Sequence, residues 1–394
     1  MAELDSMRNA ADISIDSLMK SLSSKDHTRH LNAVEINRLF EDFGTLLDYD
    51  RVLSSQLQNT KTQFTSAERL AAAKLLRSAA FYDRSFQHNG RIRRALDRGE
   101  LGNNIPKNIL QKSREFLYSV SVRKKLLNHS AAAKPDAADS ILMQLPSTNF
   151  MKEAYADFYR KNDRLKNAFY YSFTFAGSVL FNTTEAENRK RRIKKRKTAV
   201  QLQAYVHPYD ILLSKSNNHM AGKVIPGYFG HVAIWMGDEM PGKGKRVRKF
   251  FNADKNKQVG INKKRMEEAL RSGVRISSLK DFADGDVFLI MRLRELTPEQ
   301  QKCIQTNACK QLNKSYDFNF DIESPDKVNC TELIYLSCDF IKWKVSPFMG
   351  RYTIFPDDLL KTALSDERFE IVVLLKDGQL IEHPKLTLLN ELMK

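Results

Sequence analysis

The chain has 394 residues, of which 42% are hydrophobic and 10% aromatic, so it can bury the cores of two or three domains and is not a globally disordered protein. Its Lys and Arg residues outnumber its Asp and Glu residues by 64 to 47, which gives a net charge of +17. A basic chain of this kind favours anionic partners, namely nucleic acid, anionic lipid or an acidic protein.

The first half of the chain has a helical pattern. Apolar residues recur at helical spacing in "HLNAVEINRLFEDFGTLLDYDRVL". The segment "SAERLAAAKLLRSAAFYDRSF" is rich in Ala and Leu and begins with a candidate cap at Ser66. The pattern continues in "NIPKNILQKSREFLYSVSVRKKLL" and "NFMKEAYADFYRKNDRLKNAFYYSF", which are separated by the small-residue linker "SAAAKPDAADS". We therefore expect an all-helical domain of unknown role over residues 1–197, packed on the second half, covering it or targeting it.

A basic run closes this half. Arg189 to Lys197 reads "RKRRIKKRK" and holds eight basic residues. Such a run is typical of a solvated helix face or an exposed linker, and it also suits contact with phosphate groups or anionic lipid. It lacks the interleaved aromatic residues that single-strand nucleic-acid binders use for base stacking, so nucleic acid is the less favoured partner. The preceding "FYYSFTF" favours a bundle core, with an interfacial membrane helix as the alternative.

The character of the chain changes after Thr198. Short apolar, β-branched and aromatic runs predict strands at "DILL", "HVAIWM", "RKFFNA", "VRISSL", "VFLIMRL" and "IVVLL". The segment "LKDGQLIE" carries a hairpin signal at Asp377 and Gly378. Strands that mix with helices without strict alternation predict an α+β domain over residues 198–394.

Two helices interrupt these strands. The first begins at "TPEQQKC", with Thr297 as its N-cap, Pro298 at the first helical position and Gln300 closing a capping box. The second begins near Cys330, after the loop "SPDKVN". Its sequence "CTELIYLSCDFI" places apolar residues on one helical stripe.

The chain has four cysteines, at positions 303, 309, 330 and 338. They form no CxxC pair and no His/Cys cluster with zinc-finger spacing, so we expect neither a disulfide scaffold nor a metal site. Cys330 alone is placed like a nucleophile, because the unpaired N–H groups and the positive dipole end at a helix start favour a thiolate and can stabilise an oxyanion. Cys338 lies two turns further into its helix, and Cys303 and Cys309 lie inside the preceding helix.

His231, in "GYFGHVAIWMGDE", is the candidate base for this nucleophile. A lone histidine in a strand is usually a satisfied core residue, and a lone cysteine at a helix start is usually a small buried hydrophobe; the two together favour catalysis. A thiol hydrolase also needs a third group to orient its base. Glu268, in "MEEALRSGVRI", and Asn252, in "FFNAD", are both candidates, and the adjacent Glu267 leaves the register of this segment open.

Several segments follow one another in the order found in a known family. They are "YDILLSK", "PGYFGHVAIWMGD", "EALRSGVRISSLKDF", "VFLIMR", "YDFNFD", "NCTELIYLS" and "FPDDLL". Together they resemble the permuted papain-like amidases of the YiiX/YaeF type. These are relatives of the NlpC-type cell-wall peptidases in which the strands that bear the histidine precede the helix that bears the cysteine. The resemblance covers residues 206–375.

The resemblance implies a circularly permuted papain-like domain with an antiparallel sheet and packed helices. It implies His231 as base, Cys330 as nucleophile and Glu268 as the orienting group. Asn252 remains the alternative orienting group on the residues alone.

Three further positions match family motifs. Tyr316 and Asp317 match a Tyr-Asp pair near the family's pocket, so we expect them to bind substrate, although Tyr316 is equally suited to packing the core. Asp210 matches the Asp of a "GDILL" motif in which Tyr209 replaces the usual Gly. This replacement puts the local turn in question but not the chemistry.

Two functions of different classes follow. The first is a cysteine-dependent hydrolase or acyltransferase that cleaves an amide or ester bond of a peptide or lipid through a thioester at Cys330, without a metal or organic cofactor. The second is a non-catalytic basic adaptor that docks on anionic membrane or nucleic acid through Arg189–Lys197. Geometry separates them, since the first requires the Cys330 sulfur and a ring nitrogen of His231 within hydrogen-bond reach.

The sequence also indicates a location. The N-terminal "MAELDSMRNAADISID" lacks the basic start and apolar core of a secretory signal. The least polar stretch, Ala168 to Phe181, is shorter than the ~20 residues that a membrane-spanning helix needs. We therefore expect a soluble, cytoplasmic protein, with peripheral membrane association through the basic run as an open alternative.

Overall fold

The computed structural model describes residues 2–23, 30–57, 64–86, 89–119, 122, 126, 136–145, 185–216, 226–237, 264–348 and 351–393. The chain divides into two compact units, Met1–Leu31 with Glu35–Lys166 and Asn32–Val34 with Asn167–Lys394. The predicted strand "RKFFNA", the apolar stretch Ala168 to Phe181 and the alternative orienting residue Asn252 lie outside the described residues.

The N-terminal region is helical, as the sequence predicts. Its described helices are α1 (Ala2–Ser23), α2 (Ala33–Ser55), α3 (Ser66–Phe86), α4 (Gly90–Arg98), α5 (Ile109–Leu117) and α6 (Ala137–Leu142). Aromatic rings form part of the core: Phe43 of α2 is fully buried and meets Tyr82 and Phe86 of α3 edge-on, with ring centroids 5.1 and 5.5 Å apart. The apolar stripes of α2 and α3 thus face each other.

The cap of α3 is one residue earlier than predicted. The Thr65 N–H and hydroxyl donate to the Glu68 carboxylate at 2.8 and 2.9 Å, and the Glu68 N–H returns a bond to Thr65 Oγ1 at 3.3 Å. Ser66, the predicted cap, is the first helical residue. A capping box needs Glu or Gln three residues after the cap, and Thr65 has Glu68 at that spacing whereas Ser66 does not.

The described strands of the second unit are β1 (Asp210–Lys215), β2 (His231–Trp235), β3 (Lys264–Leu270), β4 (Gly273–Ser278), β5 (Val287–Leu293), β6 (Ser346–Phe348), β7 (Arg351–Thr353), β8 (Phe369–Lys376) and β9 (Gln379–Glu382). Seven of them form an antiparallel sheet in the order β4-β3-β2-β1-β5-β8-β9, and β6 and β7 form a separate hairpin. This sheet, with the helices around it, confirms the predicted α+β class.

The predicted strands that fall in described residues form β1, β2, β4, β5 and β8. The hairpin at Asp377 and Gly378 joins β8 to β9, and both residues have positive φ, 51° and 77°, as a type I′ turn requires. No strand was predicted at β3, whose sequence "KRMEEAL" carries four charged residues. Pairing with β2 on one side and β4 on the other holds it in the sheet.

Helices of the second unit are α7 (Glu185–Gln203), α8 (Leu279–Phe282), α9 (Pro298–Gln311), α10 (Cys330–Ser337), α11 (Pro356–Ser365) and α12 (Leu386–Leu392). The start of α9 follows the predicted capping box: the Gln300 N–H donates to Thr297 Oγ1 at 3.3 Å, and the Thr297 N–H donates to Gln300 Oε1 at 3.0 Å. The local sequence therefore determines where this helix begins.

The basic run lies on α7. The last turns of this helix are anchored, because Ala199 and Leu202 are fully buried in the core that contains the sheet residues Leu212, Ala233 and Ile290. Two of its described lysines form ion pairs, Lys194 with Asp286 at 2.5 Å and Lys195 with Asp284 at 2.8 Å. Among the described residues, no helix has both the length and the apolar character needed to cross a bilayer.

Candidate active site

Cys330 is the first residue of α10, as the sequence predicts. The preceding Asn329 is the N-cap, and its Oδ1 accepts the N–H groups of Thr331 and Glu332, each at 3.0 Å. The Glu332 carboxylate in turn accepts the Asn329 N–H at 3.0 Å and its side-chain amide at 2.7 Å. Every residue of α10 is buried, so this capping box fixes the position of the thiol within a packed core.

The first turn of α10 leaves one backbone donor beside the thiol. The N–H groups of Thr331 and Glu332 bond to the Asn329 side chain, and that of Leu333 bonds to the Asn329 carbonyl. No described residue accepts the N–H of Cys330. An unpaired N–H at a helix start, next to a nucleophile, is suited to stabilise an oxyanion.

His231 begins β2 and lies between Glu268 and Cys330. Its Nε2 is 3.0 Å from Glu268 Oε2, and its side chain also hydrogen bonds with that of Cys330. The Phe282 ring of α8 packs against the imidazole with the centroids 5.7 Å apart. The histidine side chain is 23% exposed and the Glu268 side chain 3% exposed, so the ring is shielded from most solvent but still accessible.

The environment of His231 favours its protonated form. Burial acts to lower the pKa of the imidazole, but the hydrogen bonds and charges of Cys330 and Glu268 outweigh burial and raise this pKa from 6.5 to about 10. Burial acts to raise the pKa of Glu268, and the hydrogen bond and charge of His231 more than offset it, so the pKa of this carboxyl is lowered. Glu268 is therefore a carboxylate at neutral pH, facing an imidazolium.

Sheet register explains why Glu268 reaches the histidine. Glu268 on β3 pairs with Ala233 on β2, and Ala233 is two residues from His231, so Glu268 and His231 share one face of the sheet. Arg275 on β4 pairs with Glu268 and places Nη2 3.4 Å from its Oε1. Arg275 was not predicted as a site residue, although a tight turn at "LRSGV" would have brought it opposite Glu268.

Glu267 lies on the opposite face, because successive residues of a strand alternate. It is fully buried, and neither carboxylate oxygen has a hydrogen-bond partner among the described residues. Burial raises the pKa of Glu267 well above its usual value and so favours the neutral carboxyl. The register that the sequence left open is thus resolved, and Glu268 is the glutamate that faces His231.

Tyr316 lies beside the thiol. Its side chain hydrogen bonds with that of Cys330, and its ring packs on Phe318 with the centroids 4.9 Å apart. Burial, and then the nearby charge of Cys330, raise the pKa of Tyr316 well above its usual value. The phenol therefore keeps its proton near neutral pH and can donate a hydrogen bond.

Asp317 has a different environment. It is 1% exposed, and its carboxylate accepts the N–H groups of Asn319 and Asp321, both at 2.9 Å. These bonds hold the loop that carries Tyr316. Contact between Asp317 and a substrate stays a prediction.

The turn before β1 accommodates Tyr209 where the family motif has glycine. Tyr209 has φ of +71°, in the left-handed region that glycine adopts most readily, and its N–H donates to the Trp235 carbonyl at 2.6 Å. The Asp210 carboxylate accepts two bonds from the Arg292 guanidinium, each at 2.7 Å. Tyr209 thus adopts a backbone conformation that glycine favours, and Asp210 anchors β1 to β5.

Comparison with protein families agrees with this arrangement. Residues 205–389 match the family described as "Permuted papain-like amidase enzyme, YaeF/YiiX, C92 family". This region is similar to the permuted papain-like cysteine hydrolases of that family. The match confirms the predicted resemblance, and in this domain His231 and Glu268 precede Cys330 along the chain. Neither the search of curated proteins nor the search of solved structures found a significant match.

Proposed function

We propose that this permuted papain-like domain hydrolyses an amide bond through a thioester at Cys330, with His231 as the base and Glu268 as the group that orients it. The observation that carries the proposal is the position of the His231 ring, which bonds to Glu268 at 3.0 Å and also to the Cys330 side chain. A base that contacts both its nucleophile and its orienting carboxylate has the geometry of a catalytic triad.

In the acylation step, His231 already holds the proton given up by the Cys330 thiol, and the sulfur attacks the substrate carbonyl carbon as a thiolate beside the imidazolium. A C–S bond forms while the π electrons of the carbonyl move to its oxygen. The tetrahedral oxyanion then collapses, the C–N bond breaks, and the imidazolium donates its proton to the departing nitrogen. The raised pKa of His231 supports this role, since the ring holds its proton until the leaving group needs it.

The N–H of Cys330 is our proposed donor to the oxyanion. It points from the start of α10, and the Asn329 side chain already occupies the next two N–H groups. A second donor is the phenol of Tyr316, which hydrogen bonds with the Cys330 side chain and keeps its proton. This contact supports Tyr316 as a substrate-binding residue, because a carbonyl attacked by the sulfur would lie within reach of the phenol.

Deacylation repeats the sequence with water. Neutral His231 removes a proton from water, the hydroxyl adds to the thioester carbonyl, and the C–S bond breaks to release the acid and leave the Cys330 thiolate beside the imidazolium. An alcohol or amine in place of water would make the enzyme an acyltransferase, and an ester in place of the amide would follow the same steps. The family description names an amidase, which supports an amide substrate.

The test is labelling with a thiol electrophile followed by product analysis. Iodoacetamide should alkylate Cys330 faster than Cys303 and Cys309, which serve as internal references within the same protein. Incubation with peptide-amide and lipid-ester libraries should then yield free acids, and the Cys330→Ala variant should yield none. Equal alkylation of the three cysteines together with no turnover would support the basic adaptor instead.

A further inference from the structure

We propose that Asp357 is a positioning residue for His231, which it serves by holding the backbone of the loop that leads into β2. The proposal rests on the function proposed above, since it matters only where His231 acts on Cys330. Asp357 lies in the first turn of α11, 126 residues beyond His231 in the sequence. Its carboxylate reaches back to that loop.

Two short hydrogen bonds make the connection. The Tyr228 N–H donates to Asp357 Oδ2 at 2.7 Å, and the Phe229 N–H donates to Asp357 Oδ1 at 2.9 Å. Asp357 itself is 4% exposed, so water competes little for either oxygen. We call this pair of bonds the Asp357 clamp. Two adjacent N–H groups held by one carboxylate fix both the position and the direction of the chain.

Gly227 makes the clamp sterically feasible. It has φ of +117°, and a Cβ built on it would lie 2.7 Å from both Cγ and Oδ2 of Asp357. Real Cβ atoms do not approach a carboxylate this closely, and an L side chain is strained at this φ. Glycine at this position therefore allows the carboxylate to reach the two N–H groups.

The clamped loop leads directly to the base. Phe229 is 1% exposed and anchors the loop in the core, and the next N–H, that of Gly230, donates to the Ser214 carbonyl of β1 at 3.1 Å. The following residue is His231. Every backbone unit from Tyr228 to His231 is thus attached to the domain, so loss of the clamp should displace the imidazole relative to Cys330.

Asp358 provides a matched control. It is the next residue, it is buried to a similar extent at 5% exposure, and its carboxylate accepts the Phe355 N–H at 3.1 Å and the Ser346 hydroxyl at 3.2 Å. Both aspartates lie in the first turn of α11 and accept hydrogen bonds. Of the two, Asp357 bonds to the loop before His231 and Asp358 does not. Removing Asp358 should weaken the fold without moving the base.

The experiment measures the alkylation rate of Cys330 by iodoacetamide from pH 5 to pH 9, together with the melting temperature. A displaced imidazole ion-pairs less well with the sulfur, so Asp357→Ala should slow alkylation at the acidic end by about tenfold or more. Gly227→Ala should slow alkylation in the same way, because its Cβ would displace the Asp357 carboxylate from the two N–H groups. The double variant should be no slower than either single variant, because both changes remove the same bonds.

Asp358→Ala should melt at a lower temperature and keep the wild-type pH profile. Asp357→Asn keeps one acceptor oxygen, so its rate should fall between those of wild type and Asp357→Ala. If Asp357→Ala fails to fold, Asp357→Asn and Gly227→Ala carry the same test.

Two outcomes distinguish a failure of the clamp from a failure of the proposed nucleophile. Unchanged alkylation profiles in folded Asp357 and Gly227 variants, while Cys330 still reacts fastest in wild type, would overturn the clamp alone. Equal alkylation of Cys303, Cys309 and Cys330 in wild type would overturn the proposed nucleophile, and the clamp with it.

Discussion

Replacing Glu268 by Gln isolates the effect of its charge on His231. The substitution preserves the shape of the side chain, and the amide oxygen can still accept from the imidazole. It removes the negative charge that, together with Cys330, raises the pKa of His231 to about 10. Because this charge favours the imidazolium, its loss must lower that pKa, and His231 then loses its proton at a lower pH.

The magnitude follows from the burial of the pair. With Glu268 only 3% exposed and His231 23% exposed, their hydrogen bond is little weakened by solvent. A hydrogen bond to a charged group is worth about 1.5–3 kcal/mol and a neutral one about 1 kcal/mol, so the change removes roughly 0.5–2 kcal/mol. A free-energy change of about 1.4 kcal/mol corresponds to one unit of pKa. In the plot of kcat/KM against pH, the fall at high pH should therefore occur about one pH unit lower than in wild type. Glu268→Ala, which also removes orientation, should cost about 100-fold in kcat/KM.

The assay is the pH dependence of kcat/KM for a soluble substrate, measured for wild type, Glu268→Gln and Glu268→Ala. Glu267→Gln is the matched control, since the neighbouring glutamate faces the other side of the sheet and should leave the alkaline limb unchanged. An alkaline limb that does not move in Glu268→Gln would refute the reasoning. So would a loss of turnover in Asn252→Ala that is absent from Glu268→Ala, because Asn252 would then orient the base.

Three further predictions concern chemistry, stability and location. Cys330→Ala and His231→Ala should abolish turnover, beyond the effect of Glu268→Gln, while leaving the far-UV CD spectrum close to wild type. Burial raises the pKa of Glu267 in the folded state, so wild type should lose more stability than Glu267→Gln as the pH rises above the unfolded pKa of about 4.3; an equal drop in the urea midpoints of the two proteins between pH 5 and pH 8 would contradict this. Changing the eight basic residues of Arg189–Lys197 to Gln should release the protein from anionic liposomes at low salt, because each charge contributes about 1 kcal/mol near such a surface, and turnover of a soluble substrate should stay near wild type. Wild type that fails to co-sediment with these liposomes would leave the run as a solvated helix face.

The elements that sequence predicts best have short-range causes. The start of α9 depends on Thr297 and Gln300, three residues apart, and the turn between β8 and β9 depends on adjacent Asp377 and Gly378. Cys330 at the start of α10 belongs with them, since its loop and helical stripe are contiguous in sequence. In each case the residues that decide the structure lie within one turn of each other, so the pattern is complete in a single window.

Elements that depend on distant partners were missed or left open. The sequence "KRMEEAL" has no clear period, and β3 exists because β2 and β4 pair with it on both sides. The orientation of Glu267 and Glu268 is likewise set by that pairing, because a shift of one residue would exchange their faces. The Asp357 clamp joins residues about 130 positions apart, and nothing local to "FPDDLL" distinguishes Asp357 from Asp358.

Buried carboxylates show why residue type alone does not identify the catalytic group. Asp210 is fully buried against Arg292, and Asp317 accepts backbone N–H groups in its own loop. Asp357 accepts backbone N–H groups from a distant loop. Each compensates the cost of burial by binding donors that belong to the fold. Glu268 differs in its donor, a histidine ring that also hydrogen bonds with a thiol. The hydrogen-bond donor therefore distinguishes the carboxylate suited to catalysis from those that hold the chain in place. For Glu268 this donor is brought into contact by strand pairing, which the sequence alone does not show.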